Sequence, residues 1–253
     1  MASYLVTGAS RGLGLALVSR LAALPTTEVG KIIATARSDN SPQLKELINN
    51  SSGRVELVKL DVADQKSATK AVGEVERVLQ GKGLDFLINN AGLMDWSPAG
   101  VEGMDNLNEI FQTNVTGVHM VTRALLPLLR KGNKKTVINI SSTVGSFASI
   151  ENYRHSHCPA YKVTKAALNM LTLQYAQKYE TEGFTVAAIS PGWLRTDLGS
   201  ERADLPVEVG AEKTVDIIQS TGPHQNGKFL NIHVAGWENA PGPNQYPGGE
   251  SGW

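Results

Sequence analysis

The sequence predicts an α/β fold in which helices cover both faces of a doubly wound parallel sheet of about seven strands. Short apolar runs rich in β-branched residues alternate with longer segments of helical period. That alternation is typical of parallel strands joined by crossover helices. The chain has 253 residues, of which 41% are hydrophobic and 19% are charged, and this is enough to bury a large core. Because there is no internal repeat or linker composition, we expect one domain over residues 1–253.

The individual elements are predicted from the period of the apolar residues. Strands are expected at residues 4–7, 31–36, 55–60, 85–89, 136–141, 185–190 and 228–230. Helices are expected at residues 13–24, 42–49, 65–80, 105–130, 160–180 and 207–220. Residues 143–158 and 235–253 fit neither period, and the second stretch is a C-terminal tail rich in Gly and Pro. Such a composition is typical of disorder. The tail also contains three large aromatic residues, however, and we expect the rings of Trp237, Tyr246 and Trp253 to anchor it.

Charge and cysteine content narrow the possible partners and location. The chain has 24 basic and 24 acidic residues, so there is no charge excess for binding nucleic acid or an anionic membrane. No apolar run approaches the roughly 20 residues that span a bilayer. Cys158 is the single cysteine, which excludes an internal disulfide, and the first residues do not have the pattern of a signal peptide. We expect a cytoplasmic protein whose partner is a small molecule.

A glycine-rich turn follows the first predicted strand. Residues 7–14 read Thr-Gly-Ala-Ser-Arg-Gly-Leu-Gly and lead into a helix. Glycine permits a tight turn and lets backbone N–H groups approach a pyrophosphate at the positive end of the helix. An ordinary strand-to-helix turn is the alternative, but the position at the first strand–helix junction favours a dinucleotide site. The spacing is G-x-x-x-G-x-G rather than the G-x-G-x-x-G fingerprint.

The end of the second strand indicates which nicotinamide cofactor binds. An NAD site usually has Asp or Glu there to bind the ribose 2′-hydroxyl, whereas this strand ends at Ala36 and is followed by Arg37. Together with Arg11 in the glycine-rich turn, Arg37 suits a 2′-phosphate. Asp39 is the nearby carboxylate that an NAD site could use instead. The two arginines and the missing acid favour NADP(H).

A tyrosine and a lysine are predicted to share one face of the helix at residues 160–180. Tyr161 and Lys165 are four positions apart, which brings their side chains together. A phenol has a pKa near 10, and a neighbouring ammonium stabilises the phenolate and lowers that pKa. The pair could therefore transfer a proton. Because Y-x-x-x-K also occurs as two unrelated surface residues, the surrounding motifs must decide.

The surrounding motifs lie mainly where predicted strands end, which is where an open parallel sheet binds its ligand. Residues 137–142 are a buried strand that ends in the hydroxyls of Ser141 and Ser142, Asn-Asn-Ala-Gly at residues 89–92 closes the fourth strand, and Ser-Pro-Gly-Trp at residues 190–193 ends the sixth. Asn114 lies inside the predicted helix 105–130, where asparagine is otherwise unfavourable. In this order the motifs resemble the short-chain dehydrogenase/reductase family over residues 3–197.

The resemblance implies a single-domain Rossmann-type fold and a set of site residues. Ser142 would orient the substrate carbonyl, Tyr161 would donate the proton, and Asn114 would hold a water in the proton relay. Lys165 would adjust the pKa of Tyr161 and bind the nicotinamide ribose. The implied cofactor-binding residues are Gly8, Ser10, Arg11, Gly12, Leu13, Gly14, Arg37, Asp61, Val62, Asn90, Ala91, Gly92, Tyr161, Lys165, Pro191, Gly192, Leu194 and Thr196.

Within the family, residues 191–197 and the aromatic tail are similar to the C-factor/sniffer group of carbonyl reductases. Ser142 and Tyr161 are 19 positions apart, which leaves residues 143–158 as a substrate loop, and residues 193–206 are expected to form a second one. We predict a pocket for a small, apolar or aromatic carbonyl compound. Its expected lining is Met94, Trp96, Phe147, Tyr153, His155, Trp193 and Leu198.

These observations together predict an enzyme, an NADPH-dependent reductase that transfers hydride to a ketone, aldehyde or quinone. The alternative is a regulatory NADP-binding protein without turnover, which the presence of all four catalytic positions disfavours. A methyltransferase or an enoyl reductase fits the motifs less well. No metal site is expected, because residues 155–158 (His-Ser-His-Cys) have no fourth ligand.

A homodimer or homotetramer is also expected. The helices predicted at residues 105–130 and 160–180 have apolar residues beyond a single core-facing stripe, a pattern that suits an interface between copies of the chain. These residues are Val118, Val121, Leu125, Leu171 and Tyr175.

Overall fold

The structure, a computed structural model that describes residues 1–253, contains one sheet of seven parallel strands. The strands are β1 (Ala2–Val6), β2 (Val29–Ala36), β3 (Val55–Lys59), β4 (Phe86–Asn89), β5 (Thr136–Ile140), β6 (Thr185–Ser190) and β7 (Phe229–Asn231). The helices are α1 (Gly12–Ala23), α2 (Pro42–Asn50), α3 (Gln65–Leu79), α4 (Leu107–Phe111), α5 (Val118–Lys131), α6 (Pro159–Tyr179) and α7 (Val207–Ser220). The strand order is β3-β2-β1-β4-β5-β6-β7, which confirms the predicted doubly wound sheet.

The strand order reverses direction between β1 and β4. In open parallel sheets, this reversal opens a crevice outside the carboxyl ends of the strands, and ligands bind there. The glycine-rich turn follows β1 and the Asn-Asn-Ala-Gly motif closes β4. The fold therefore brings these two motifs to the same edge of the sheet.

Each face of the sheet has its own apolar core. Alternate residues of a strand point to opposite faces: Tyr4 and Val6 pack in the cluster with α1 and α7, whereas Leu5 packs in the cluster with α3, α5 and α6. Helices on both faces leave the central strands fully covered, as the burial of every residue of β5 and β6 shows. No helix in the structure is both long enough and apolar enough to cross a membrane.

The residues on which we based the predicted oligomer belong to this core. Val118, Val121, Leu125 and Tyr175 are buried within the chain, and Leu171 packs against the same cluster. That reasoning was wrong, because α5 and α6 each bury a wide apolar surface against the sheet and against neighbouring helices. The exposed apolar side chains of this region are Phe111, Val163 and Met170 instead.

The predicted helix at residues 105–130 differs from the observed one at its centre. Between α4 and α5 the chain forms a π-helical turn at Gln112–Gly117. Two side chains of this turn bind main-chain groups outside the helix, since Asn114 pairs with Leu93 and Gln112 donates to the Ala63 carbonyl. Such turns occur frequently at functional sites, and this one includes a predicted catalytic residue.

The tail runs antiparallel beside β7 and covers the edge of the sheet. Ser251 N–H donates to the Phe229 carbonyl at 2.7 Å, and Asn231 N–H donates to the Gly249 carbonyl at 2.9 Å. Tyr246 is buried, the Trp237 ring lies 5.5 Å from it, and the Trp253 ring stacks on Phe229 at 5.5 Å. All three aromatic residues predicted as anchors thus pack against the body of the protein.

Candidate active site

A cavity of about 550 Å³ lies along the carboxyl ends of the strands. Its lining includes all the sequence-predicted cofactor positions, from Gly8 in the glycine-rich turn to Thr196 after β6. It also includes Ser142, Tyr161 and Lys165, whereas Asn114 lies behind the wall. The structure therefore gathers residues that are distant in sequence into one cleft.

The glycine-rich turn is built for close approach of a ligand to the backbone. Gly8 and Gly12 have φ angles of +67° and +53°, in the left-handed region that favours glycine. At Gly14, a Cβ atom would lie 2.2 Å from the Gly8 carbonyl oxygen and 2.6 Å from the Asn90 amide nitrogen. No side chain caps the N-terminus of α1, and its first turn has no acidic residue. These features fit the pyrophosphate of a dinucleotide, which uncapped helix N–H groups bind.

The Asn-Asn-Ala-Gly motif is attached directly to β1. The N–H groups of Asn90 and Ala91 both donate to the Thr7 hydroxyl, at 2.9 and 3.0 Å, and the Asn90 amide donates to the Thr7 carbonyl at 2.8 Å. Asn89 is instead buried in the core, where its amide donates to Asn139 and Thr122. The two neighbouring asparagines therefore have different roles, and Asn90 is the one that faces the cavity.

The adenosine end of the cleft has no carboxylate at the end of β2. Ala36 is buried there, Arg37 is exposed, and Asp39 lies 3.8 Å from Lys59. The Arg11 guanidinium does not join Arg37 as the sequence suggested, because it forms an ion pair with Asp197. Arg37 is therefore the arginine at this end without an ion pair.

Tyr161 and Lys165 lie in the first turns of α6 and share a face, as their spacing predicted. Lys165 is only 4% exposed; its Nζ donates to the Ile140 carbonyl at 2.7 Å and lies 5.3 Å from the centroid of the Tyr161 ring. Gly145 allows the loop at residues 143–158 to pack against this lysine, since a Cβ atom at position 145 would lie 2.5 Å from the Lys165 Cβ. The lysine is thereby fixed between β5 and the loop at residues 143–158.

Burial controls the protonation of this pair. It lowers the pKa of Lys165 to about 8. It raises the pKa of the Tyr161 phenol well above its usual value, with a further rise from Cys158 and an opposing effect from the Ser142 hydroxyl. The protein's own groups thus raise the pKa of the phenol, whereas we expected Lys165 to lower it, because burial disfavours the charged phenolate. At neutral pH the phenol retains its proton and can donate it.

Ser142 and Asn114 complete the predicted catalytic set in different ways. The Ser142 hydroxyl accepts a long hydrogen bond of 3.4 Å from Val144 N–H, which leaves its proton available to a substrate oxygen. The Asn114 amide donates to the Leu93 carbonyl and the Thr164 hydroxyl and accepts from Leu93 N–H. Both of its N–H groups are thus used within the protein, so the predicted relay water would have to donate to an oxygen of Asn114, in its side chain or its main chain.

The substrate end of the cavity differs in part from the predicted lining. Met94, Trp96, Tyr153, Trp193 and Leu198 line it, as expected. Phe147 and His155 do not: both side chains are exposed outside the cavity. At Phe147 the loop turns outward, because the neighbouring Ala148 N–H and Ser146 hydroxyl bind the tail.

Sequence reasoning missed wall residues both from the tail and from the loop at residues 143–158. Those of the tail are Pro243, Asn244 and Tyr246, and those of the loop are Thr143, Val144, Ser156 and Cys158. The signal that could have identified Tyr246 is its hydroxyl, because a tyrosine that only anchors a chain segment does not need one. His157 is exposed whereas Cys158 is buried, so the side chains of residues 155–158 do not converge.

Comparison with known proteins relates the chain to a family. A family model described as short chain dehydrogenase matches residues 3–205. The short-chain dehydrogenase/reductase AacuF of Aspergillus aculeatus is 38% identical over 203 residues, which are 76% of this chain and 74% of that protein.

Two solved structures are similar over nearly the whole chain. NADPH-bound carbonyl reductase from chicken fatty liver has 31% identity and a TM-score of 0.82, with 91% of this chain and 96% of that chain covered. Carbonyl reductase Sniffer of D. melanogaster has 29% identity and a TM-score of 0.85, with 100% of both chains covered. The second likeness confirms the resemblance to the sniffer group.

Proposed function

The chain belongs to the short-chain dehydrogenase family and is an oxidoreductase, and we propose that it is an NADPH-dependent reductase of ketones, aldehydes or quinones with Tyr161 as the general acid. The observation that carries the proposal is the convergence of Ser142, Tyr161 and Lys165 on the wall of one cavity, with Tyr161 next to both of the others. The similar chicken carbonyl reductase is described as NADPH-bound, which supports the same reaction class.

The chemistry follows from the protonation of the three side chains. Bound NADPH supplies the hydride. Ser142 donates a hydrogen bond to the substrate carbonyl oxygen, which orients the carbonyl and polarises it. Tyr161 transfers its proton to the same oxygen, and the Lys165 ammonium stabilises the resulting phenolate. Because Lys165 is held by the Ile140 carbonyl, its charge stays in place during the transfer.

The preference for NADPH rests on the adenosine end of the cleft. Arg37 lies beside the place where an NAD site has its acid, and that place is taken by Ala36. Asp39, the carboxylate that could favour NAD, lies outside the cavity lining and near Lys59. An arginine without a competing carboxylate suits a 2′-phosphate.

The substrate we propose is a small, apolar or aromatic carbonyl compound. The wall beyond Tyr161 includes Met94, Trp96, Trp193 and Leu198, and apolar side chains with few polar groups are typical of such pockets. We assign the whole chain to one functional unit, in which residues 143–158 and 193–206 are the substrate loops.

Location and assembly are part of the same proposal. A cytoplasmic location agrees with Cys158, which is a free, buried thiol. A homodimer or homotetramer agrees with Val163 and Met170, which are exposed apolar residues seven positions apart on α6 and therefore lie on one face. Light scattering checks the assembly, and a mass of 27.1 kDa would contradict it.

The proposed reaction is tested by NADPH oxidation with a panel of aromatic ketones, quinones and aliphatic aldehydes. We expect turnover with the apolar members and little with small charged keto acids. Tight binding of NADPH without turnover of any member would instead support the regulatory alternative.

A further inference from the structure

The tail places one hydroxyl between the two ends of a substrate loop. Tyr246 is 3% exposed, and its hydroxyl donates to Asp204 Oδ2 at 2.6 Å and accepts from Trp193 N–H at 3.1 Å. The Asn244 amide donates to the same Asp204 oxygen at 2.8 Å. Burial and the hydrogen bond to Asp204 raise the pKa of Tyr246, so the hydroxyl remains a donor across the working pH range.

The loop at residues 193–206 is closed on itself at the same point. Leu205 N–H donates to the Trp193 carbonyl at 3.1 Å, and Arg195 N–H donates to the Leu205 carbonyl at 2.9 Å. The Trp193 indole donates to the Gly199 carbonyl at 2.7 Å. Tyr246 therefore holds a loop whose two ends already meet, and it fixes the position of the Trp193 backbone.

These residues also face the substrate end of the cavity. Trp193, Asn244 and Tyr246 all line it. Asp204 does not line it, so the carboxylate acts through the residues that it binds. Neither Ser142 nor Lys165 depends on this arrangement, because they are positioned by β5 and α6.

We propose that Tyr246 and Asp204 are positioning residues that set the affinity for bulky aromatic carbonyl substrates, by holding Trp193 and the tail as one wall of the substrate pocket. The inference rests on the proposed reductase function. A bulky substrate fills the space up to this wall, whereas a small aldehyde reaches only Ser142 and Tyr161. Loss of the wall's position is therefore expected to raise KM for the bulky substrate and to leave kcat close to that of the parent.

The test compares Tyr246→Phe, Asp204→Ala and Asp204→Asn with the parent. Tyr246→Phe keeps the ring and removes both hydrogen bonds, and Asp204→Ala removes the acceptor. Because these bonds hold the wall in place, we expect KM for a bulky aromatic ketone to rise by up to about tenfold in both variants. Asp204→Asn keeps one acceptor oxygen, so it is expected to restore most of the affinity. KM for a small aldehyde is the internal reference in each variant.

Tyr4→Phe is the matched control. Tyr4 is also 3% exposed but stacks on Phe86 in the core, away from the cavity lining. Trypsin cleavage gives a second readout that does not require turnover, because Arg195 and Arg202 lie exposed in the loop at residues 193–206. We expect faster cleavage there in Tyr246→Phe and Asp204→Ala than in the parent, Tyr4→Phe or Asp204→Asn.

The possible outcomes separate the two proposals. If the parent reduces no member of the carbonyl panel, the reductase function fails. The cleavage rates still test whether Tyr246 and Asp204 hold the loop at residues 193–206. If the parent is active but Tyr246→Phe and Asp204→Ala keep the parent's KM for the bulky ketone, the positioning role is overturned. A rise in KM that Asp204→Asn shows as strongly as Asp204→Ala would also overturn it, because the acceptor oxygen would then not be what matters.

Discussion

Arg11 of the glycine-rich turn forms an ion pair with Asp197 of the loop at residues 193–206, with 2.9 Å between Nη1 and Oδ2. Both residues line the cavity and both side chains are more than 70% exposed. An exposed ion pair contributes little to stability, so its main consequence is electrostatic. The carboxylate neutralises a guanidinium that could otherwise attract the phosphates of a dinucleotide.

The first prediction concerns this ion pair. Asp197→Asn should increase the affinity for NADPH several-fold at low ionic strength, because it frees Arg11 and removes a negative charge from a site for anions. The measurement is a fluorescence titration of NADPH binding, with NADH alongside. Glu76→Gln is the matched control, since it breaks a comparable exposed pair with Lys131 between α3 and α5. An unchanged NADPH affinity in Asp197→Asn would show that Arg11 does not contact the cofactor.

The second prediction concerns cofactor choice. Arg37→Asp should shift the preference from NADPH toward NADH, because a carboxylate repels the 2′-phosphate and accepts from a 2′-hydroxyl. The ratio of kcat/KM for the two cofactors measures the shift, and Arg11→Ala should act in the same direction more weakly. Arg77→Asp makes the same charge change on α3, away from the cavity, and should leave the ratio unaltered. If Arg37→Asp also leaves it unaltered, the assignment of Arg37 is wrong.

The two arginines also show what the sequence could and could not predict. Glycine spacing and the missing acid at Ala36 are local features. They correctly identified the glycine-rich turn and the end of β2 as parts of the cleft. The partner of Arg11 is 186 positions away, so no local pattern could reveal that Asp197 competes for its charge. The strands, in contrast, could be predicted from local sequence. A continuous apolar run such as β5 is typical of a strand that helices cover on both faces.

Long-range contacts explain the remaining differences. The π-helical turn depends on the pairing of Asn114 with Leu93, 21 positions earlier, whereas helical periodicity considers only the helix itself. From sequence alone, the apolar residues of α5 and α6 are equally consistent with packing inside the chain and with an interface between copies. Only the three-dimensional positions of elements such as α3 and β4 show that these residues pack inside the chain. The role of Tyr246 likewise required Asp204, 42 positions away.

The third prediction tests the proton donor. Tyr161→Phe removes the phenolic proton and keeps the ring, so reduction should fall by at least the roughly 10²–10⁴-fold that is typical of general acid catalysis. Binding of NADPH, measured by titration, should stay close to that of the parent. Tyr153→Phe is a useful comparison, because that phenol also lines the cavity and binds the Thr143 hydroxyl. Residual reduction by Tyr161→Phe within a few-fold of the parent would assign the proton to another group.

The fourth prediction is a pH profile. Reduction creates a phenolate at Tyr161, which the Lys165 ammonium stabilises, and burial lowers the pKa of that ammonium to about 8. The charged form of Lys165 is therefore present below about pH 8 and is lost as the pH rises through this value, so kcat/KM should decline on the alkaline side. Because the pKa of Tyr161 is raised, loss of its own proton should not cause this decline. Lys165→Arg, which stays protonated, should remove the decline, and a decline at the same pH in Lys165→Arg would point to another group.

The last prediction separates the two ends of the tail. The Trp253 ring stacks on Phe229 of the edge strand, and its carbonyl accepts from Ala148 N–H at 3.0 Å. Trp253→Ala removes the ring but keeps the backbone, and burial of a large apolar side chain contributes about 1.5–3 kcal/mol. For a protein of this size, we expect Tm to fall by about 3–12 °C, with KM for the bulky ketone close to that of the parent because Tyr246 remains in place. Phe147→Ala is the control, since that ring is 76% exposed in the adjacent loop and its removal should leave Tm unchanged.

A variant lacking residues 240–253 should show both the lower Tm and a higher KM, because it loses Tyr246 together with the edge pairing. If Trp253→Ala alone raised KM as much as that deletion, the end of the tail would shape the pocket directly, and the division of roles between Tyr246 and Trp253 would be wrong.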